Sequence, residues 1–137
     1  MSKADRNKHL AKRSSNLRSS WLKRADKAGT RRSEVPDREM VEAWLLREFA
    51  DDYAICKYTG SRILWSTDWE VDHAMPTSRG GIFHLTNAVI CSRRVNAVKG
   101  ALTDVEFRDL IRLVGGWPVR VRMEFYGRLM SAGRKYR

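Results

Sequence analysis

The sequence has few of the features that mark secreted and membrane proteins. Among its 137 residues there are only two cysteines, Cys56 and Cys91, too few for a disulfide scaffold. No apolar run approaches the roughly 20 residues that a membrane span needs. The N-terminus is charged from Lys3 onward and lacks the apolar stretch of a secretory signal. These absences predict a cytoplasmic protein without a membrane partner, whose thiols stay reduced.

Positive charge is abundant and unevenly distributed. The net charge is +11, from 27 Lys and Arg against 16 Asp and Glu. Residues 1–32 have eleven basic and two acidic side chains, residues 33–111 nine and thirteen, and residues 112–137 seven and one. So basic a chain is attracted to polyanions, most commonly nucleic acid. The pattern predicts an acidic functional core between two polyanion-binding segments; a solubilising tail beside an ordinary surface is the alternative.

Hydrophobic periodicity predicts a mixed α and β chain of a size that suits one domain. The segment before Gly29 is either a basic helix or a segment that folds on its partner. Turn and strand formers follow the second helix, with Thr59-Gly60 as a turn signal. A Thr103 to Glu106 capping box begins the last predicted helix, which Gly115-Gly116 and Pro118 break. The predicted elements are helices at 5–27, 37–50 and 92–99, short strands within 55–72, a loop from Pro76 to Gly81, and a strand at 87–91.

Residues 70–100 contain the side chains that phosphodiester hydrolysis needs, which are a base, ligands for a cation and a scaffold. A neutral His73 can deprotonate water near pH 7, because the reference pKa of histidine is about 6.5. The Asp72 carboxylate and an Asn side-chain oxygen form a sparse hard-oxygen site that suits Mg²⁺. Neighbouring residues of a regular strand point to opposite faces, so Asp72 and His73 share a site only where the strand ends or distorts.

In order and spacing, this stretch resembles the motif of the HNH, or ββα-metal, endonucleases. The resemblance is based on Val71-Asp72-His73-Ala-Met-Pro76, Ser78-Arg79-Gly80-Gly81, Leu85-Thr-Asn87, Cys91 and Asn96-Ala-Val-Lys99-Gly100. It implies a ββα-metal core at about 55–100 and cleavage of nucleic acid with one divalent cation, Mg²⁺ or alternatively Mn²⁺.

The resemblance also implies a role for each matching residue. His73 would be the general base, and Asp72 and Asn96 would be the metal ligands. Asn87 would brace the loop between the strands and help to orient His73. The expected substrate-binding residues are basic: Arg79, Lys99, Arg93 and Arg94.

The cysteines depart from the pattern of the resembled family. Many HNH proteins have two Cys-x-x-Cys pairs that bind a structural zinc, whereas this chain reads Cys56-Lys-Tyr-Thr59 and Cys91-Ser-Arg-Arg94. A closed zinc site needs four Cys or His ligands. We therefore expect packed thiols and no structural zinc.

The sequence as a whole predicts an α+β fold with a ββα-metal core, flanking helices and basic extensions. The expected parts are a DNA-binding arm at 1–32, an HNH nuclease domain at 33–114 and a basic extension at 115–137. The expected function is hydrolysis of DNA by a phage-encoded or mobile-element (homing-type or nicking) endonuclease acting in the host cytoplasm. The alternatives are a non-catalytic nucleic-acid-binding module on the same scaffold and an RNA-directed basic protein.

Overall fold

The computed structural model describes residues 2–135, which form an α+β fold of five α-helices and four short strands, as predicted. Met1, Tyr136 and Arg137, at the ends of the two predicted basic segments, lie outside this description. The helices are α1 (Lys3–Ala28), α2 (Arg38–Glu48), α3 (Arg93–Lys99), α4 (Asp104–Gly115) and α5 (Val119–Lys135). The strands are β1 (Tyr53–Ile55), β2 (Arg62–Leu64), β3 (Trp69–His73) and β4 (Ala88–Ser92).

Local sequence signals set most of the helix ends. The predicted capping box at the start of α4 is present, with the Thr103 hydroxyl accepting from the Glu106 amide and the Glu106 carboxylate accepting from the Thr103 amide. Gly29 ends α1 in the left-handed region, with a φ of 72°, which favours glycine. Gly100 follows α3, also as predicted.

The helix α5 differs from the expectation for its segment, which the sequence predicts only as a basic extension. Its first half alternates apolar and polar side chains, a spacing typical of a strand rather than a helix. Pro118 stands just before the first turn, where the absence of a backbone N–H costs nothing. The exposed apolar residues of this half are Val119, Val121 and Met123.

Two antiparallel strand pairs form the β structure. The strands β1 and β2 make a hairpin whose turn contains Gly60, at a φ of 72°. The strands β3 and β4 pair from Trp69 opposite Ser92 to His73 opposite Ala88. Since α3 follows β4 without a linker and packs against both β3 and β4, these three elements form a strand–strand–helix unit.

The helix α1 packs into the same core as this unit, so the segment 1–32 is not a detached arm. Its apolar face buries Leu10, Trp21, Leu22 and Ala25 in the cluster that also contains Trp69. The helix also exposes basic side chains, which are Lys3, Lys8, Lys12, Lys23, Arg24 and Lys27. Within residues 2–135, no helix is both long and apolar enough to cross a membrane.

The burial of α1 predicts how two leucine substitutions differ. Leu10, on α1, is 0% exposed, whereas Leu113, on α4, is 61% exposed. We expect Leu10→Ala to lower the free energy of unfolding by about 2–5 kcal/mol and Leu113→Ala to change it by less than about 0.5 kcal/mol. Urea unfolding followed by circular dichroism measures both. Equal stabilities would show that α1 is separable from the domain.

Candidate functional site

The end of β3 separates the side chains of Asp72 and His73. The strand stays in regular register up to His73, its last residue, so consecutive side chains alternate between its faces. Asp72 contacts Lys99 of α3, whereas the His73 ring contacts Trp21 of α1. The carboxylate and the imidazole therefore flank the strand end from opposite sides.

The Asp72 carboxylate is held by two donors. Its Oδ2 accepts from the Tyr58 hydroxyl at 2.8 Å and from the Lys99 ammonium at 2.9 Å. Burial, and then the Asp72 charge, raise the pKa of Tyr58, so the hydroxyl keeps its proton. Lys99 also donates to the His73 carbonyl at 3.1 Å and is 1% exposed. The expected phosphate contact of Lys99 is therefore corrected: this buried ammonium positions Asp72 and has no surface to offer to a substrate.

Asn96 lies on the same side of β3 as Asp72. Its Nδ2 donates to the Glu70 carboxylate, and this contact, with the Lys99–Asp72 pair, aligns α3 along β3. Among residues 2–135, neither Oδ1 of Asp72 nor Oδ1 of Asn96 accepts a hydrogen bond. The structure thus leaves two hard oxygen atoms without protein partners on this side of the strand end.

Asn87 clamps the loop that connects β3 to β4. Its Nδ2 donates to the carbonyls of Met75, at 2.9 Å, and Ile82, at 3.1 Å, while its Oδ1 accepts from the Met75 amide at 2.8 Å. The chain is so close here that a Cβ on Gly81 would lie 1.8 Å from the Met75 carbonyl oxygen. These contacts fix the backbone that leaves His73, as expected of a bracing residue.

His73 is a buried, neutral histidine between two aromatic rings. It is 4% exposed, with ring centroids 5.2 Å from Trp21 and 5.3 Å from Phe83. Its Nε2 has no hydrogen-bond partner in the described part of the chain. Burial, followed by the positive charges of Arg24 and Lys99, lowers the pKa of His73 to about 4. The imidazole is therefore neutral at pH 7, the state that a general base needs, and the same burial makes it a weaker proton acceptor than an exposed imidazole.

The other predicted substrate-binding residues lie at different places on the surface. Arg79 forms an ion pair with Glu106, which links the loop to α4. Arg93 pairs with Asp68 at 3.1 Å and with Glu70 at 3.3 Å. The exposed Arg94 lines a groove that α3 forms with α4 and α5. Two of these three guanidinium groups are thus already paired with carboxylates.

Some residues at the site were not predicted from the sequence. Glu70 could have been found, because it stands two positions before Asp72 and the period of a strand puts both on one face. Tyr58 and Trp21 gave no signal because they reach the site from outside the motif, and Phe83, in the loop between β3 and β4, gave none because no spacing predicts its contact with the His73 ring.

Both cysteines are free and buried, as expected of packed thiols. Burial first, and then the charge of Asp72, raise the pKa of the Cys91 thiol, so it remains protonated at neutral pH. The two thiols lie in the core cluster with Ala54 and Ile90.

Comparison with known proteins gives no match to a family model, to a curated protein or to a solved structure.

The buried His73 predicts a pH dependence of stability. Its pKa in the folded state, about 4, lies below the unfolded value of about 6.5, so the unfolded state binds more protons between these values. The stability that the neutral His73 contributes is therefore fully present above pH 6.5. It decreases as the pH falls toward 4, by at most about 3 kcal/mol. Urea unfolding from pH 7 to pH 4.5 should show a smaller decrease for His73→Gln than for the unsubstituted protein. Parallel curves would contradict the burial of the neutral ring.

Proposed function

We propose that this protein is an HNH-type endonuclease that hydrolyses DNA phosphodiester bonds with one divalent cation. The observation that carries the proposal is the unpartnered Nε2 of the neutral His73, at the end of the strand that presents Asp72 on its other face. A buried polar atom without a partner is uncommon and needs an explanation, of which a catalytic role is one. The α3 helix adds Asn96 on the same side of β3 as Asp72, in the order of the motif.

In the proposed reaction, His73 Nε2 takes a proton from the attacking water. A bond forms between the water oxygen and phosphorus, while the bond to the leaving sugar oxygen breaks and that oxygen takes a proton from solvent. Asn87 fixes the loop that follows His73, and the Lys99 ammonium holds both the Asp72 carboxylate and the His73 carbonyl. Because His73 and Asp72 flank the strand end, the phosphate would lie across the end of β3.

The residues present fit a divalent cation. Asp72 Oδ1 and Asn96 Oδ1 are the ligands that would hold it, since both lack hydrogen bonds within residues 2–135. When bound, the cation would stabilise negative charge on the phosphate. The Lys99 ammonium already compensates the Asp72 charge, so we expect tight binding only when a DNA phosphate supplies further oxygen ligands, as is usual for Mg²⁺.

A second candidate function is nucleic-acid binding without cleavage. It is favoured by the burial of His73, because Trp21 and Phe83 cover the ring and must shift before a substrate can reach it. The basic outer face of α1 serves either function. Cleavage in the presence of Mg²⁺ separates the two.

The first test of the proposal replaces the general base. His73→Ala should lower the rate of plasmid cleavage in Mg²⁺ by about 10² to 10⁴, the usual contribution of general acid–base catalysis. His84→Ala is the matched control, since within residues 2–135 the His84 side chain hydrogen-bonds only to Thr86 of its own loop. DNA binding in EDTA, where no cleavage occurs, should be the same for both variants.

Two results would count against the nuclease. Cleavage by His73→Ala at the rate of His84→Ala would exclude His73 as the base. Tight DNA binding without cleavage in Mg²⁺ or Mn²⁺ by the unsubstituted protein would favour the binding module.

The second test concerns the cation ligands. Asp72→Ala is a poor probe, because it leaves the Lys99 ammonium buried without its partner, a change that typically costs about 3–5 kcal/mol. Asn96→Ala removes one oxygen ligand and only the bond to Glu70, so the fold should persist. We expect Asn96→Ala to raise the Mg²⁺ concentration for half-maximal cleavage at least tenfold. An unchanged Mg²⁺ dependence in a folded Asn96→Ala protein would exclude Asn96 as a ligand.

A further inference from the structure

Arg24 is a basic residue at the site that has no carboxylate partner. It lies on α1, one helical turn after Trp21, and its side chain is exposed. Its guanidinium donates to the Thr77 hydroxyl at 3.2 Å and lies 5.5 Å from the centre of the Phe83 ring. Within residues 2–135, no Asp or Glu forms an ion pair with it. In that part of the chain its charge is therefore uncompensated, and its side chain is positioned by one hydrogen bond and one cation–π contact.

Arg24 differs in this respect from the other arginines near β3. Arg13 donates to the Trp69 carbonyl at 2.7 Å and stacks over the Trp69 ring, so its side chain supports the fold. Arg79 and Arg93 form ion pairs with carboxylates. Of these four arginines, only Arg24 is exposed, lacks a carboxylate partner within residues 2–135 and lies close to His73.

The ring of Phe83 connects Arg24 to the candidate base. It contacts the His73 imidazole edge to face, with centroids 5.3 Å apart, and also the Arg24 guanidinium. Thr77 belongs to the loop that leaves His73 and is clamped by Asn87. Arg24 thus contacts both the Phe83 ring, which packs on the imidazole, and the loop that follows His73.

We propose that Arg24, supported by Thr77, binds a phosphate of the DNA strand beside the candidate base; this inference rests on the proposed function. A guanidinium has five N–H donors and binds two phosphate oxygens at once. Thr77 occupies one of its NH2 donors, which leaves the others available for an anion. Because Arg24 and Trp21 share one helix, the phosphate contact would form next to the ring that covers His73.

The test compares Arg24→Ala, Arg24→Lys and the control Arg112→Ala. Arg112 is an exposed arginine on α4 that pairs with Asp109. Its replacement by alanine removes one positive charge, as Arg24→Ala does. The first measurement is the affinity for a short duplex in EDTA at several salt concentrations. Arg24→Ala should make the slope of log affinity against log salt shallower by about 0.9, the value for one phosphate contact. Arg112→Ala should leave that slope unchanged.

The second measurement is cleavage in Mg²⁺. We expect Arg24→Ala to lower kcat/KM at least tenfold. Arg24→Lys should keep the salt slope, because an ammonium retains the charge. It should cleave more slowly than the unsubstituted protein, because an ammonium cannot bind two phosphate oxygens in the planar geometry of a guanidinium. Thermal unfolding checks that the three variants are folded. If Arg24→Ala is not folded, the cleavage rate of Arg24→Lys provides the test.

The outcomes separate the two proposals. If the unsubstituted protein binds DNA but does not cleave it, the nuclease proposal fails, while a shallower slope for Arg24→Ala still supports the phosphate contact. If the unsubstituted protein cleaves and Arg24→Ala matches Arg112→Ala in slope and rate, the phosphate contact is excluded and the nuclease remains. Equal rates for Arg24→Lys and the unsubstituted protein would overturn the two-oxygen contact.

Discussion

The buried ion pair between Lys99 and Asp72 joins the helix α3 to the strand β3, and the rest of the site depends on it. The Tyr58 hydroxyl, from the turn between β1 and β2, donates to the same carboxylate oxygen, and Lys99 also donates to the His73 carbonyl. Three parts of the chain are thus tied to one carboxylate. Loss of either partner would leave an uncompensated buried charge, so the orientation of α3, and with it the position of Asn96, is fixed by this contact.

The helix α1 has two roles that make opposite demands. Its apolar face completes the core, and Trp21 seals the ring of His73, which keeps the imidazole neutral. The same helix also places the guanidinium of Arg24, which has no carboxylate partner within residues 2–135, next to the Phe83 ring. Close packing of Trp21 on His73 stabilises the domain, whereas a reaction at His73 requires that the rings covering it move away. Two parts of the chain cover His73, which are α1 and the loop between β3 and β4. The loop is the smaller of the two, and Asn87 rather than strand pairing holds it in place.

Local chemistry explains which parts of the structure were predictable. The capping box at Thr103 and the glycines after α1 and α3 act within a few residues, and they set helix ends where expected. The alternating first half of α5 gave a misleading signal, because the packing of α5 on α3 overrides the local pattern. The burial of Lys99 could not be predicted either, since it depends on a carboxylate 27 positions earlier in the chain.

The motif located Asp72, His73, Asn87 and Asn96, but it did not give their environments. Spacing alone cannot show that the imidazole and the carboxylate lie on opposite faces, or that α1 covers one of them. Those features arise from contacts between segments that are far apart in sequence, such as Trp21 with His73. For the same reason the segment 1–32 was interpreted as an arm, although its periodicity already contained a buried face.

The order of these contacts along the chain has a consequence for biosynthesis. The helix α1 packs mainly against α2, which follows it directly, but its contacts with the site, such as Trp21 with His73 and Arg13 with Trp69, require the strand β3, which the ribosome makes much later. Until β3 and the loop after it are made, Trp21 lacks the rings of His73 and Phe83, and non-local contacts of this kind form slowly. The candidate base acquires its neutral, enclosed setting only when most of the domain has been synthesised. A truncated nascent chain would therefore contain the cationic surface without an assembled site.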